Sequence, residues 1–557
     1  MKREINTKLR KSLLFLAAVG ATLLNIGCKH TEEQKPVMLL RLSIDNTVTD
    51  ESWAKTLSIL NKHPECCDEI WFSTGIGIPP MEVHQQHAER LVDAKQDLEK
   101  LGISTSLQVQ MTIGHGDQLG ISDEWSAKRW TGWTGSTGVE CKYCNCPRQP
   151  ELLEYMREMT RLYARIQPRI LWVDDDLRYD NHKPATQNSR IGCWCETCLA
   201  EFSAREGKTW SRVELDKAMA TDKDLEYRWM MFSLESLQQI AHIIAEETVA
   251  VSPSTKMGYQ KTFFTRDTLV VKTILKELAE VSGQKVAYRP GGSAYYDRYH
   301  PVNQIVKSMD AARFIRLIGS PDYVESWCPE VESYPRHYGS RSGQSVLLEG
   351  FAALAYGMDA VSMFVMDHGE ESPELQARSM LKPLEEGSDV LRRYAQANIG
   401  TEAVGFRANV SNEALYDFGV MGIPVLPGEG RSLGTLEKEV LTSVNLYSQP
   451  SSEIQAFRDK LNADAEMPVL CCSPFVGLVM PRVDAEGNLR TLGLINSRID
   501  VQGPILFSLA SVPEDAKSAI WYELRKKPVK LNIQYDAVGA FIEIPQLDAW
   551  NAGFLEF

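Results

Sequence analysis

Two sets of side chains in this sequence are spaced for chemistry. Asp174, Asp175 and Asp176 close the apolar run Leu171-Trp172-Val173, and Glu330 and Glu332 stand two apart in Trp327-Cys328-Pro329-Glu330-Val331-Glu332-Ser333-Tyr334-Pro335. Two carboxyl groups facing each other across a sugar ring are the least that glycosidic cleavage requires. One protonates the leaving oxygen while the other attacks or activates water, and a separation near ~5 Å implies retention through a covalent glycosyl-enzyme. Cysteines bracket the aspartates. Cys146 lies in Cys-Asn-Cys-Pro-Arg-Gln-Pro, and Cys193-Trp-Cys195-Glu-Thr-Cys198 follows 47 residues later. A Cys-x-Cys-x2-Cys turn offers three thiolates to a tetrahedral ion, usually zinc, and needs a fourth from elsewhere. Such an ion would staple the loops flanking residues 174–176. The competing reading is a set of free thiols or disulfides in a secreted protein.

The acids have duller uses as well. Three consecutive aspartates can grip a cation or Arg178, and on an extended strand Glu330 points the same way as Glu332 and competes with it for any role. Aromatic residues add a hint of sugar, because pyranose C–H faces lie on indole and phenol rings. Trp125, Trp130 and Trp133 crowd one segment, Tyr288-Arg289 and Tyr295-Tyr296 another, and Asp367-His368 a third. The residues expected to contact substrate are Asp175, Trp130, Trp133, Arg289, Tyr295, Trp327 and His368. His115 and His368 belong to no spaced cluster and read as substrate contacts or satisfied polar groups.

These residues need a scaffold, and the chain supplies a rhythm for one. Short apolar runs at 37–45, 69–73, 104–111, 169–175, 256–260, 285–289, 322–331 and 360–366 alternate with helical periods. Leu91, Ala94, Leu98 and Leu101 make one helical face ended by Gly102, and Leu269, Ile274, Leu275 and Leu278 make another. Eight strand-helix units predict a (β/α)8 barrel over 37–398, whose catalytic groups sit at the carboxyl ends of strands. An open doubly wound sheet is the fallback, although no glycine-rich phosphate loop follows the first strand. Residues 399–473 read as a small α/β accessory segment, and 474–557 as a β-sandwich.

The amino terminus speaks to compartment. Lys2, Arg3, Lys8, Arg10 and Lys11 precede an apolar run from Leu13 to Leu24, the pattern of a signal peptide over 1–27. The run ends Leu24-Asn25-Ile26-Gly27-Cys28, which resembles a bacterial lipobox, with Asn25 where an aliphatic residue is usual. Cys28 would carry lipid, with 28–36 as a polar tether. The expected place is the periplasm or cell surface, anchored to a membrane such as the outer membrane. The chain has 557 residues, 43% hydrophobic, with 60 basic and 74 acidic side chains and a formal charge of −14. That balance, without basic clusters, argues against nucleic acid as a partner.

Taken together, these motifs resemble the family 42 β-galactosidases and their retaining-glycosidase relatives. Cys146-Pro147-Arg148-Gln149-Pro150, Val173-Asp174-Asp175-Asp176 and the Cys193, Cys195, Cys198 knot stand in the family's order at similar spacing. The resemblance implies a structural zinc on Cys146, Cys193, Cys195 and Cys198. It implies an acid/base at Asp176, where the family has glutamate, and a sugar 2-hydroxyl contact at Asp175, where it has asparagine. It implies a nucleophile at Glu332 in Glu332-Ser333-Tyr334-Pro335. The segment 399–473 stands where the family has its trimer-forming domain, which allows a homo-oligomer. The expected protein is an exported, lipid-anchored retaining glycoside hydrolase acting on a poly- or oligosaccharide. Two alternatives are a glycan-binding lipoprotein on a degenerate barrel, and an enzyme using the aspartates as metal ligands for phosphoester or deacetylation chemistry.

Overall fold

The computed structural model describes residues 35–75, 77–114, 130–178, 189–262, 268–292, 294–297, 302–319, 321–366, 372–408, 422–436, 451–464, 466–513 and 516–557. The apolar runs become parallel strands: β1 (Met38–Arg41), β2 (Glu69–Ser73), β3 (Ser104–Val109), and, after a hairpin of β4 (Gly132–Thr134) and β5 (Glu140–Asn145), β6 (Ile170–Val173). β7 (Lys256–Thr262), β8 (Val286–Gly291), β9 (Val324–Trp327), β10 (Glu330–Glu332) and β11 (Val361–Phe364) complete them. They form a nine-stranded parallel sheet in the order β10-β11-β1-β2-β3-β6-β7-β8-β9.

Where eight strands are expected there are nine, because the seventh run is broken. Its first part, β9, pairs with β8, and its second, β10, pairs with β11. Pro329, which has no N–H to give a ladder, lies in the break. The two ends of the sheet order are thus consecutive in the chain, separated only by Cys328 and Pro329. The β4–β5 hairpin is an addition that the sequence reading lacks.

Strand alternation sorts side chains to two faces. Met38, Leu40, Ile70 and Phe72 join the large core under the helices. Leu39, Trp71, Ile170, Trp172, Ala287, Cys328 and Ala360 form a separate cluster. Strands far apart in the sheet order contribute to it, so the sheet curls around these residues. Trp71 and Trp172 stack there at 4.2 Å. Gly258 makes the stack possible, since a Cβ at that position would lie 2.4 Å from the Trp172 ring.

The helices follow their apolar stripes. Leu91, Ala94 and Leu98 are buried on Met81–Lys100, and Ile274, Leu275 and Leu278 on Thr268–Ser282. No helix among the described residues is long and apolar enough to cross a membrane.

Beyond the helix Lys382–Ala397 the chain builds a mixed sheet and an antiparallel one. The seven-stranded one runs in the order Arg431–Leu436, Glu402–Ala408, Gly477–Val483, Leu489–Asn496, Ala552–Glu556, Ser518–Glu523, Val529–Asn532. The four-stranded one runs Val469–Cys471, Ile505–Leu509, Ala540–Ile544, Gln534–Tyr535. Phe507, Ile542 and Ile544 of the smaller sheet share a core with Leu492, Leu494, Trp521 and Leu555 of the larger.

Candidate active site and cysteine cage

Directly above the tryptophan stack, the interior turns polar. Arg41 ends β1, Gln108 lies near the end of β3, and Arg289 lies on β8; all three are buried. They converge on the acids at the strand ends. Glu330 accepts from Arg41 Nη1 at 3.1 Å, pairs with Arg289, and accepts from the backbone N–H of Gly292 at 3.0 Å. Gly291 leaves room for this pairing, since a Cβ there would lie 2.7 Å from the Glu330 carboxylate. Burial alone would raise the Glu330 pKa, but Arg289, Arg41 and Lys307 outweigh it and hold the carboxyl below the ordinary glutamate range.

Glu332, one step nearer the strand end, behaves oppositely. Burial and then the Glu330 charge push its pKa up, against Arg336, Arg41 and Arg289. Arg336 Nη2 donates to it at 2.9 Å. The Arg336 and Arg41 guanidinium carbons lie 3.7 Å and 4.6 Å from the centre of the Phe364 ring. The Glu332 backbone is also fixed, because Arg341 Nη1 donates to its carbonyl at 2.9 Å. Arg341 in turn pairs with Glu349, which meets Lys307 Nζ at 3.1 Å, all three being buried. Lys307 Nζ lies 5.3 Å from the Tyr295 ring. One buried network thus supports both Glu332 and Tyr295.

The other wall comes from the end of β6. Asp174 is buried and accepts from Gln108, whose Oε1 accepts from Arg41 Nε at 3.1 Å. Burial, then Asp175 and Asp176, push the Asp174 pKa well up. Asp176 is wholly buried, and its Oδ1 accepts from Arg178 Nη2 at 2.7 Å. Asp175 keeps 21% of its side chain exposed and stands 3.8 Å from Arg178 Nη1. The three aspartates offer oxygens within 4.8 Å of one another, a spacing that could also hold a cation.

Arg289 joins the two walls. Burial disfavours its charge, but Glu330, Asp175, Asp174 and Glu332 together hold its pKa above the ordinary guanidinium value. The Tyr295 phenol is pushed well up by burial, then by Glu330, Glu332 and Asp175, and so stays protonated. Acids from the fourth and seventh runs therefore share one set of cations, together with Arg289 and Tyr295.

Of the aromatic residues expected to contact substrate, Tyr295 lies with the acids, while the described tryptophans make packing contacts of their own. Trp133 is buried in the hairpin, and Trp130 packs edge-on against Tyr155 at 5.6 Å. Trp327 packs edge-on against Tyr288 at 5.8 Å, beside the helix-facing core. His368, His115, Trp125, Asp367 and Cys28 lie outside the described residues.

Sequence reasoning missed Arg41, Gln108, Arg336 and the Glu349 network. Arg41 carried a readable signal, a cation ending the apolar strand Met-Leu-Leu-Arg. Glu349 carried a fainter one, a lone acid in the apolar helix Gly343–Ala355.

Cys146, Cys193, Cys195 and Cys198 converge as expected. They are buried, their sulfurs all lie within 4.8 Å of one another, and Cys146 Sγ is 3.5 Å from both Cys195 Sγ and Cys198 Sγ. A tetrahedron with metal–sulfur bonds of about 2.3 Å has edges of about 3.8 Å, so the cage fits a thiolate-bound metal ion. Contacts with Cys146, Cys193 and Cys198 lower the Cys195 pKa, while burial raises that of Cys193 and contacts with Cys146, Cys193 and Cys195 raise that of Cys198.

No family model and no curated protein matches this sequence. Solved structures do. A family 42 β-galactosidase from G. stearothermophilus, solved as a catalytic mutant, aligns over 93% of this chain and 98% of its own at 10% identity and a TM-score of 0.54. A β-galactosidase from Bacillus circulans sp. alkalophilus aligns over 94% and 100% at 11% identity and a TM-score of 0.55. The chain is thus similar in fold to these enzymes along nearly its whole length.

Proposed function

We propose that this protein is a retaining glycoside hydrolase that cleaves a poly- or oligosaccharide. The observation that carries the reading is the shared polar interior, in which Arg289 is flanked by aspartates of the fourth run and glutamates of the seventh. Two carboxyl walls suit a reaction in which positive charge develops on the sugar ring while one acid gives a proton and the other forms a bond, and the guanidinium groups hold those acids in place. The likeness in fold to β-galactosidases makes β-galactosides the first substrates to try. The reading treats β9 and β10 as one interrupted seventh strand of a (β/α)8 barrel, with the C-terminal sheets as a sandwich buttressing it.

Glu332 is the proposed nucleophile, held by Arg336 and by the Arg341 contact to its carbonyl. Glu330 sets the field around it. The cage is proposed to hold zinc in a structural role, since four thiolates leave no open position for catalysis. Cys28 is the proposed lipid anchor, which would place the enzyme at a membrane facing the periplasm or the exterior. Purified protein should hydrolyse at least one member of a panel of aryl glycosides, and Glu332→Gln should abolish that turnover while the fold is retained. A panel without any turnover would sink the reading.

A second reading has one observation in its favour. The aspartate at the family's acid/base position, Asp176, is buried against Arg178. A glycan-binding protein on a degenerate barrel would look the same there. Binding of an oligosaccharide without turnover, measured by calorimetry, would select it.

A further inference from the structure

We propose that the loop after β10 is a binding platform for a glycan chain, on which Tyr334 and Tyr338 carry sugar units beyond the one whose bond is cleaved. The inference rests on the glycoside hydrolase reading and deepens it, because the substrate it selects is a chain several sugars long rather than a single glycoside.

The loop leaves the sheet beside the proposed nucleophile. Ser333 N–H still donates to the Phe364 carbonyl at 3.1 Å, so strand pairing runs one residue past Glu332, and Tyr334 is the first residue to leave it. Among the described residues no tryptophan or phenylalanine is exposed, and the exposed tyrosines are Tyr227, Tyr334, Tyr338 and Tyr535. Tyr334 and Tyr338 stand on this one loop, 41% and 63% exposed. Arg336 connects the nearer ring to the acid. Its Nη2 donates to Glu332 at 2.9 Å, and its guanidinium carbon lies 5.7 Å from the centre of the Tyr334 ring but 3.7 Å from that of Phe364. The guanidinium is thus stacked on Phe364. The Tyr334 ring lies within reach of the same cation and keeps a large exposed surface.

The platform is also held still. Tyr334 N–H donates to the Tyr295 carbonyl at 3.3 Å, and Asp297 N–H donates to the Ser340 carbonyl at 3.0 Å. Asp297 Oδ2 accepts from Ser342 N–H at 2.8 Å, and its Oδ1 accepts from Ser345 Oγ at 2.6 Å. Both ends of the loop are therefore fastened to the segment 294–297, which carries Tyr295 beside the acids. An exposed ring on a fixed backbone loses little freedom on binding, so more of its contact appears as affinity. Pyranose rings lay their C–H faces on phenol rings, and such stacking reads the presence of a ring more than the pattern of its hydroxyls. Chain length, rather than the identity of one sugar, is therefore what this loop discriminates.

The test measures kinetics of the full chain on a nitrophenyl β-galactoside and on β-linked galacto-oligosaccharides from the disaccharide to the pentasaccharide, or on the same series in whichever sugar an aryl glycoside panel selects. Wild-type kcat/KM should rise with chain length. On the pentasaccharide Tyr334→Ala should lose about 3- to 10-fold in kcat/KM, the range expected for one aromatic stacking contact, and the loss should fall in KM. It should lose much less on the nitrophenyl glycoside, and Tyr334→Phe, which keeps the ring, should restore most of the pentasaccharide rate. Tyr338→Ala should lose more on the pentasaccharide than on the disaccharide. Wild-type rates independent of chain length would overturn the platform while leaving the hydrolase intact. So would a Tyr334→Ala variant that keeps the wild-type dependence on length, or one that loses equally on the nitrophenyl glycoside and the pentasaccharide. A wild-type protein inert to every glycoside would instead remove the reading beneath it.

Discussion

Glu330 and Glu332 lie two residues apart on one short strand, yet their surroundings move their protons in opposite directions. Glu330 is held ionised because Arg289 and Arg41 outweigh its burial, and that fixed charge is one reason the Glu332 pKa is raised. Environments that push two carboxyls apart assign them different tasks. As the proposed nucleophile, Glu332 must be ionised to attack carbon, so a raised pKa means that activity should fall away on acidification at a higher pH than an ordinary glutamate would allow. Replacing Glu330 with Gln removes the repelling charge and leaves Arg41 and Arg289 to act on Glu332 alone. The acid limb of the kcat/KM profile should then move to lower pH in Glu330→Gln, and an unmoved limb would show that Glu330 does not tune its neighbour. The same variant should be less stable, because two buried guanidinium groups lose their partner.

At the scale of elements, the cysteine cage ties the segment after the β4–β5 hairpin to the start of the helix Glu196–Glu206. Cys146 Sγ meets sulfurs from the turn that enters that helix. The cage lies on both sides of β6 in the chain, so it constrains the approach to the aspartates and the return from them. We expect close to one zinc per chain by elemental analysis. Chelation or Cys198→Ser should lower the melting temperature more than it lowers turnover at low temperature, which would separate a structural ion from a catalytic one.

A second device joins neighbouring elements by hydrogen bonds. His84 and His87, in the first turns of Met81–Lys100, share the buried Tyr163 hydroxyl at 3.0 Å and 2.9 Å, and His87 also reaches Thr47 at 2.9 Å. Burial, with Arg90 nearby, pushes the His87 pKa down to about 4. The unfolded imidazole titrates at about 6.5, so as the pH falls the unfolded chain takes up the proton first. The His87 contribution is therefore complete above about pH 6.5 and is lost as pH falls toward 4, to a total of about 3 kcal/mol. Denaturant titrations across that window should show the loss, and His87→Gln should flatten it.

Elements were also where the sequence was most legible. Strands of a parallel sheet are apolar on both faces, so the eight runs stood out, and 69–73 coincides with the whole of β2. The break at Pro329 was visible only as a proline whose effect depends on neighbours. The polar interior was less legible, because Arg41, Gln108 and Arg289 come from three separate strands and meet only when the sheet curls. The cysteine spacing survived intact because ligands crowded into one turn can meet almost nowhere but at one point.

At the scale of the whole molecule, the C-terminal sheets pack as part of the same body as the curled sheet. Met480, Ile495 and Phe554 belong to the same core as the helices that flank it. An aromatic column carries the contact. Phe351 stacks on Tyr394 at 4.6 Å, Tyr394 meets Phe554 at 4.6 Å, and Phe554 stacks on Tyr522 at 4.9 Å. Gly493 lets the Tyr394 hydroxyl come close, since a Cβ there would lie 2.2 Å from it. Phe554 sits on a strand paired on both sides, with Leu489–Asn496 and with Ser518–Glu523. Phe351 belongs to the helix Gly343–Ala355, which carries Glu349 and through Arg341 holds the Glu332 carbonyl. Damage near the last residues of the chain therefore has a packed route to the proposed nucleophile. Phe554→Ala should cost about 3–5 kcal/mol, the usual penalty for emptying a buried aromatic site. If the core is continuous, fluorescence, circular dichroism and residual activity of that variant should all fall in one coincident thermal transition at a lower temperature than wild type. Two separated transitions, with activity following only the second, would mean that the curled sheet holds its site without the C-terminal sheets.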